Sequence, residues 1–137
     1  MYVAFGNKIV DSTEIKEKIE ANTEMKIIKD MTKGSKREDI IAYNISIDLD
    51  VLNDEIKDTC NLEDLTEDEL FEEYVALGEE LAIEIEDYLP EEAIIEIRTY
   101  KWDPSDNDIK IVVAIAHDEL GEVKLRDIIK RLLTQVN

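Results

Sequence analysis

The chain has 137 residues and a formal net charge of −19, and 44% of its residues are hydrophobic. That length fits one domain over 1–137, and the apolar content excludes an intrinsically disordered acidic chain. Cys60 is the single cysteine, so a secreted disulfide framework is excluded. No apolar run makes a signal peptide or approaches the ~20 residues of a membrane span, so we expect no membrane partner and a cytoplasmic location.

The beginning of the chain predicts a strand, a helix and a second strand. Tyr2–Phe5 is a short apolar run closed by a Gly-Asn turn, which is typical of a strand. Asp11 or Ser12 offers an N-cap for a helix that should end near Asn22. The apolar run at 25–28 predicts the next strand.

The clearest strand pattern covers residues 41–51, where apolar and polar side chains alternate. This period of two predicts a strand with one apolar face and one polar face. Asp48 and Asp50 would share the polar face and could present two oxygens to Mg²⁺. Residues 51–57 could add a short helix.

The middle of the chain is strongly acidic, because residues 58–97 contain sixteen acids and no base, a formal charge of −16. Thr66 and Glu69 form a capping box, and apolar residues then recur at helical spacing until Pro90, which predicts one long helix over 66–89. Its other face carries the seven candidate partner-binding residues: Glu69, Glu72, Glu73, Glu79, Glu80, Glu86 and Asp87.

The end of the chain predicts an antiparallel hairpin from 93–102 and 109–116, then a helix capped within 118–121. The fold class is therefore α+β, with an antiparallel sheet of four to five strands packed against amphipathic helices. The first six elements follow the βαββαβ order of a ferredoxin-like sandwich, with an extra C-terminal strand and helix.

Catalytic, metal and cofactor sites are not predicted. The loop 103–108 begins like an EF-hand, but Asp108 stands where that loop requires Gly and Ala114 where it requires Glu. His117 and Cys60 could form a nucleophile pair, but Cys60 lies in a polar connection without a basic neighbour that would favour the reactive thiolate. We therefore expect no catalytic residue, no metal ligand and no cofactor, and an enzyme is disfavoured.

Nucleic-acid binding is disfavoured as well. The local basic cluster comprises Lys29, Lys33, Lys36 and Arg37, and neighbouring acids at 30, 38 and 39 weaken its field.

The leading hypothesis is a non-catalytic protein-binding domain that presents the acidic helix to a basic protein. Nucleic-acid-mimicking inhibitors and immunity-type proteins use surfaces of this kind. The alternative interpretation of the acidic helix is a solvated face whose charges only keep the chain soluble. Tyr100 and Trp102 share one face of the predicted strand 93–102, where either the C-terminal helix buries them as core, which we favour, or they stand exposed as an aromatic anchor. One alternative is a homo-oligomer formed through Tyr100, Trp102 or the C-terminal apolar stripe. Another is a carboxylate–metal enzyme built on Asp48, Asp50 and His117.

Overall fold

The computed structural model describes residues 1–136 and shows an α+β protein with two antiparallel sheets. The strands in this range are β1 (Tyr2–Phe5), β2 (Lys8–Asp11), β3 (Lys26–Asp30), β4 (Ile41–Asp48), β5 (Ala93–Asp103) and β6 (Asp108–His117). The α-helices are α1 (Ser12–Asn22), α2 (Leu49–Ile56), α3 (Glu67–Ala82) and α4 (Glu122–Leu133). Short 3₁₀ segments lie at Thr32–Ser35, Leu62–Asp64, Ile83–Tyr88 and Asp118–Leu120.

The main sheet has the strand order β3-β4-β6-β5, and β1 and β2 form a separate hairpin. The predicted hairpin of β5 and β6 is confirmed. The ferredoxin-like order is not confirmed, because β1 pairs with β2 outside the four-stranded sheet. Strand β2 was not predicted, because it is only four residues long and its last residue, Asp11, is also the N-cap of α1. That cap is confirmed: the Asp11 side chain accepts a hydrogen bond from the Thr13 N–H.

Helices cover the main sheet on both faces. Alternate side chains of the central strands, such as Tyr43 and Ile111, join a core with α1, α2, α3 and β1. The opposite side chains, such as Ala42 and Val112, pack against α4. The acidic helix α3 and the C-terminal helix α4 therefore lie on opposite faces of the sheet.

The strand predicted over 41–51 ends three residues early, at Asp48. The Asp48 side chain accepts a hydrogen bond from the Asp50 N–H at 2.8 Å and so caps α2. Leu49, Leu52 and Ile56 are buried at helical spacing. The predicted short helix is thus confirmed with an earlier start, and Asp50 belongs to a helix rather than to the polar face of a strand.

Helix α3 begins with the predicted capping box, in which the Thr66 hydroxyl and the Glu69 carboxylate bind each other's backbone N–H. The α-helix ends at Ala82 rather than at residue 89, and the chain continues as the 3₁₀ segment Ile83–Tyr88. Leu89 is extended because it precedes Pro90, which disfavours helical geometry there. The tighter last turns therefore lead into the strand β5.

Gly78 fixes how closely α3 approaches the sheet. It is buried, and a Cβ added to it would run into the fully buried side chain of Ile109 on β6. The absent side chain lets the helix lie close to the sheet. Within residues 1–136, every helix is too short or too polar to cross a lipid bilayer.

Candidate functional site

The solvent face of α3 carries a row of carboxylates, which we call the acidic ridge: Glu69, Glu72, Glu73 and Glu80. All four residues are exposed, because the apolar residues of α3 turn the opposite side of the helix toward the sheet. Glu69 and Glu80 are about 17 Å apart along the helix axis at 1.5 Å per residue. A rigid helix therefore holds four negative charges in fixed relative positions.

No base among the described residues 1–136 forms an ion pair with the acidic ridge. Among residues 1–136, the one carboxylate of the acidic segment 58–97 that joins an ion pair is Glu96, which lies 2.9 Å from Arg98 and 3.8 Å from Arg126. Unpaired like charges at helical spacing each cost a few tenths of a kcal/mol. The ridge is thus slightly destabilising to the fold and keeps its negative field.

Glu69 has two roles at the start of the ridge. Its Oε1 accepts a hydrogen bond from the Thr66 N–H at 3.1 Å. That backbone bond and the Thr66 side chain lower the pKa of Glu69, so it stays ionised. Because the side chain of Glu69 is exposed, its carboxylate can still form an ion pair with another protein.

Glu79 differs from the ridge residues, since it bends toward the sheet. Its Oε2 accepts hydrogen bonds from the Thr99 N–H at 3.1 Å and from the Thr99 hydroxyl at 2.9 Å. Glu79 therefore joins the flank of α3 to β5, and its free hydrogen-bonding capacity is reduced.

Glu86 and Asp87 lie beyond α3, in the 3₁₀ segment, and are exposed. Asp87 lines an open groove of about 550 Å³ together with Ile9, Glu14 and Lys18. The seven predicted residues thus divide into the four-residue ridge, the inward-facing Glu79 and a separate pair at the helix end.

The three residues of the predicted carboxylate–metal enzyme do not come together. Asp48 pairs with the first residue of β6, whereas His117 is the last residue of that strand, about 30 Å away at 3.3 Å per residue. Asp48 and Asp50 share the side-chain amide of Asn107, at 3.2 and 3.3 Å. His117 Nδ1 instead accepts a hydrogen bond from the Glu119 N–H at 3.1 Å.

The predicted nucleophile pair is not assembled either. The thiol of Cys60 lies 3.8 Å from the Thr59 hydroxyl. The ring of His117 packs edge-on against Phe5, with ring centroids 5.2 Å apart. Among residues 1–136, no hydrogen bond joins Cys60 to His117.

The loop 103–108 is a hairpin turn, and sequence reasoning missed its cation, Lys110. The Lys110 ammonium lies 3.1 Å from Asp103, 2.7 Å from Asp106 and 3.0 Å from Asp108. Burial alone would lower the pKa of Lys110, but hydrogen bonds to the three carboxylates raise it overall. The hydrogen bond from Lys110 in turn lowers the pKa of Asp103 to about 2.

An ammonium thus occupies the position where three carboxylates could otherwise hold an ion. The sequence does contain one signal for this cluster. Residues 108 and 110 are two apart in the strand β6, so their side chains lie on the same face of the sheet.

The prediction that Tyr100 and Trp102 share one face of β5 is wrong. A β-bulge between Thr99 and Lys101 shifts the register. Tyr100 packs on the α4 side and donates its hydroxyl hydrogen to Asn44 Oδ1 at 2.9 Å. Trp102 instead joins the core on the α3 side.

Two aromatic residues of α3 cover Trp102. Phe71 stacks on it at 5.9 Å and Tyr74 meets it edge-on at 5.3 Å. The C-terminal stripe is core as well, since its residues Leu125, Ile128, Ile129 and Leu132 are at most 1% exposed. These four residues of the stripe are therefore not exposed and cannot form the contact of the predicted homo-oligomer.

The basic cluster is partly neutralised. Arg37 makes two hydrogen bonds to the carboxylate of Asp39, at 2.8 and 2.9 Å. These bonds raise the pKa of Arg37 and lower that of Asp39. The pairing weakens the field that a phosphate backbone would meet.

No family model matches the chain, and neither a curated protein nor a solved structure matches it. A functional proposal therefore depends on the geometry and charges of the chain itself.

Proposed function

We propose that this chain is a non-catalytic protein-binding domain whose acidic ridge binds a basic partner protein. One observation carries the proposal: the four ridge carboxylates project from one rigid helix, and no base of residues 1–136 pairs with them. A fold that retains unpaired repulsion gains no stability from it, and the concentration of the charge on one helix favours a recognition surface over a merely solubilising face.

The chemistry of the ridge favours a partner rich in Lys and Arg. Glu69, Glu73 and Glu80 lie near one line along α3, with axial separations of about 6 Å and about 10.5 Å, so they form a row of negative charge with one gap at Ala76. A groove that binds phosphates with Lys and Arg would also attract such a row. The charge of the whole acidic segment accelerates the encounter, because opposite fields steer association. A nucleic-acid-mimicking inhibitor or an immunity-type protein fits this description.

The proposal is tested by removing charge without changing shape. In the ridge variant, Gln replaces the four acids of the acidic ridge; Gln at position 69 preserves the capping box. In the matched control, Gln replaces four exposed acids outside the acidic segment, namely Glu17, Glu24, Glu38 and Glu122. Both variants therefore have the same net charge.

The immobilised wild-type chain and both variants are incubated with lysate of the source organism, washed at low salt, and eluted at high salt. A basic protein retained by the wild type and by the control, but not by the ridge variant, supports the proposal. Equal retention by the two variants would show that only net charge matters, and retention of nothing by the wild type would also contradict the proposal. Circular dichroism checks that both variants are folded.

A further inference from the structure

Strand β5 is an open edge of the main sheet. It runs for 11 residues, and within the described range 1–136 its single neighbouring strand is β6. The Asp118 N–H donates to the Glu92 carbonyl, so the backbone groups of Glu92 point toward β6. In an antiparallel pair, successive residues alternately point toward and away from the neighbouring strand. The backbone groups of Ile95, Ile97 and Thr99 therefore point away from β6.

Two charged side chains cover part of this edge. Glu79 accepts the outward Thr99 N–H, and the Arg98 guanidinium donates to the Ile97 carbonyl at 2.8 Å. The outward backbone groups of Ile95 face no neighbouring strand of the described part of the chain. Side chains of this kind protect an edge from indiscriminate pairing, and they can exchange their hydrogen bonds for those of an incoming strand.

Acids of α3 border the same edge. Phe71 stacks on Trp102 and Glu79 reaches Thr99, so the flank of α3 that carries both residues lies beside β5. Helical spacing places Asp68 and Glu72 on this flank as well, and both are exposed. A strand added to β5 would therefore lie alongside carboxylates that form no ion pair with any base of residues 1–136.

We infer that the β5 edge binds an extended basic segment of the partner protein, which adds to the sheet as an antiparallel strand. This inference rests on the proposed function, since it specifies how the basic partner binds. The incoming strand supplies a carbonyl to the Thr99 N–H, and its cation takes over the Glu79 carboxylate. A second copy of this chain is a poor occupant, because two α3 flanks with their unpaired acids would then lie side by side.

The geometry specifies which residues of the segment are basic. Ile95, Ile97 and Thr99 point their side chains toward α3. In an antiparallel sheet, the residue opposite an outward-bonding residue directs its N–H to β5 and its side chain to the same face. The cations therefore belong at the positions whose own N–H groups bind β5.

The test uses three capped peptides of about ten residues, a typical strand length, in which Lys and Val alternate. One is unmodified, one is N-methylated at every Val, and one is N-methylated at every Lys. All three have the same charge. Methylation at Lys removes the N–H groups that face β5, whereas methylation at Val removes only those that face solvent.

Amide hydrogen exchange of the full chain is followed by NMR at low salt. The unmodified and Val-methylated peptides should slow exchange at Ile95 and Ile97 about tenfold when about nine-tenths of the protein is bound, and the Lys-methylated peptide should not. Equal binding of all three peptides without protection would overturn the inference while the proposed function stands. No binding of any peptide at low salt would count against both. Protection that grows with protein concentration alone would assign the edge to a second copy.

Discussion

Replacing Lys110 with Met should destabilise the protein by about 2–3 kcal/mol near pH 7. Removing one partner of a buried ion pair costs about 3–5 kcal/mol, because the remaining charge cannot be solvated. Asp108 is 5% exposed and faces this penalty. The expected value lies below that range, because the side chain of Asp106 is 61% exposed and can turn to water, and because Asp108 keeps its hydrogen bond from the Ser46 hydroxyl.

The loss should depend on pH in a defined direction. The folded-state pKa of Asp103 is lowered from 3.8 to about 2, so its stabilising contribution is present above 3.8 and is lost as the pH falls toward 2. The pKa of Lys110 is raised, so its contribution is present throughout the range below its ordinary value of 10.5. The difference between wild type and variant should therefore be constant from about pH 5 to 9 and shrink below about pH 4.

Urea unfolding followed by circular dichroism measures this difference at each pH. Lys101→Met is the matched control: Lys101 also pairs with Asp103, at 3.3 Å, but its side chain is 43% exposed, so a loss of at most about 1 kcal/mol is expected. Adding Asp108→Asn to Lys110→Met should restore part of the stability. A loss below about 0.5 kcal/mol at neutral pH, or one that does not shrink in acid, would refute this account of the cluster.

Three further substitutions test the packing of the sheet by urea unfolding. Gly78→Ala should destabilise by about 1 kcal/mol, because overpacking against Ile109 costs about 1–3 kcal/mol and outweighs the better helix propensity of Ala; a more stable variant would contradict the close approach of α3. Tyr43→Phe should cost about 1–2 kcal/mol, since it removes the buried hydrogen bond at 2.6 Å to the first carbonyl of α1, and an unchanged midpoint would refute that role. Glu79→Ala should lower the free energy of unfolding by about 1 kcal/mol and accelerate hydrogen exchange of the Thr99 amide that Glu79 binds. Glu80→Ala, on the exposed ridge, should change neither quantity. Equal effects of the two substitutions would show that the contact between Glu79 and Thr99 is not responsible.

Features specified by neighbouring residues could be predicted from the sequence. The Asp11 cap and the Thr66–Glu69 capping box depend on side chains within three residues of a helix start. The hairpin of β5 and β6 depends on a short loop of turn formers. The α+β class follows from these local signals together.

Features set by distant contacts could not be predicted. The bulge after Thr99 reverses the face of Trp102, and no local pattern marks it. Tertiary contacts also turned Glu79 inward, although its spacing on α3 resembles that of the ridge acids. Lys110 lay outside every candidate site, because its three acidic partners converge only when the hairpin closes.

The placement of α3 and α4 on opposite faces of the sheet gives the molecule an electric dipole moment across its thickness. Helix α4 carries the exposed cations Lys124, Arg126, Lys130 and Arg131, while α3 carries the unpaired acids. A molecule with this polarity experiences a torque near a basic surface and rotates so that α3 leads, once the two are within a few Debye lengths of about 8 Å at physiological ionic strength. Its orientation is therefore selected before contact, and near an anionic surface the same torque would turn α4 forward.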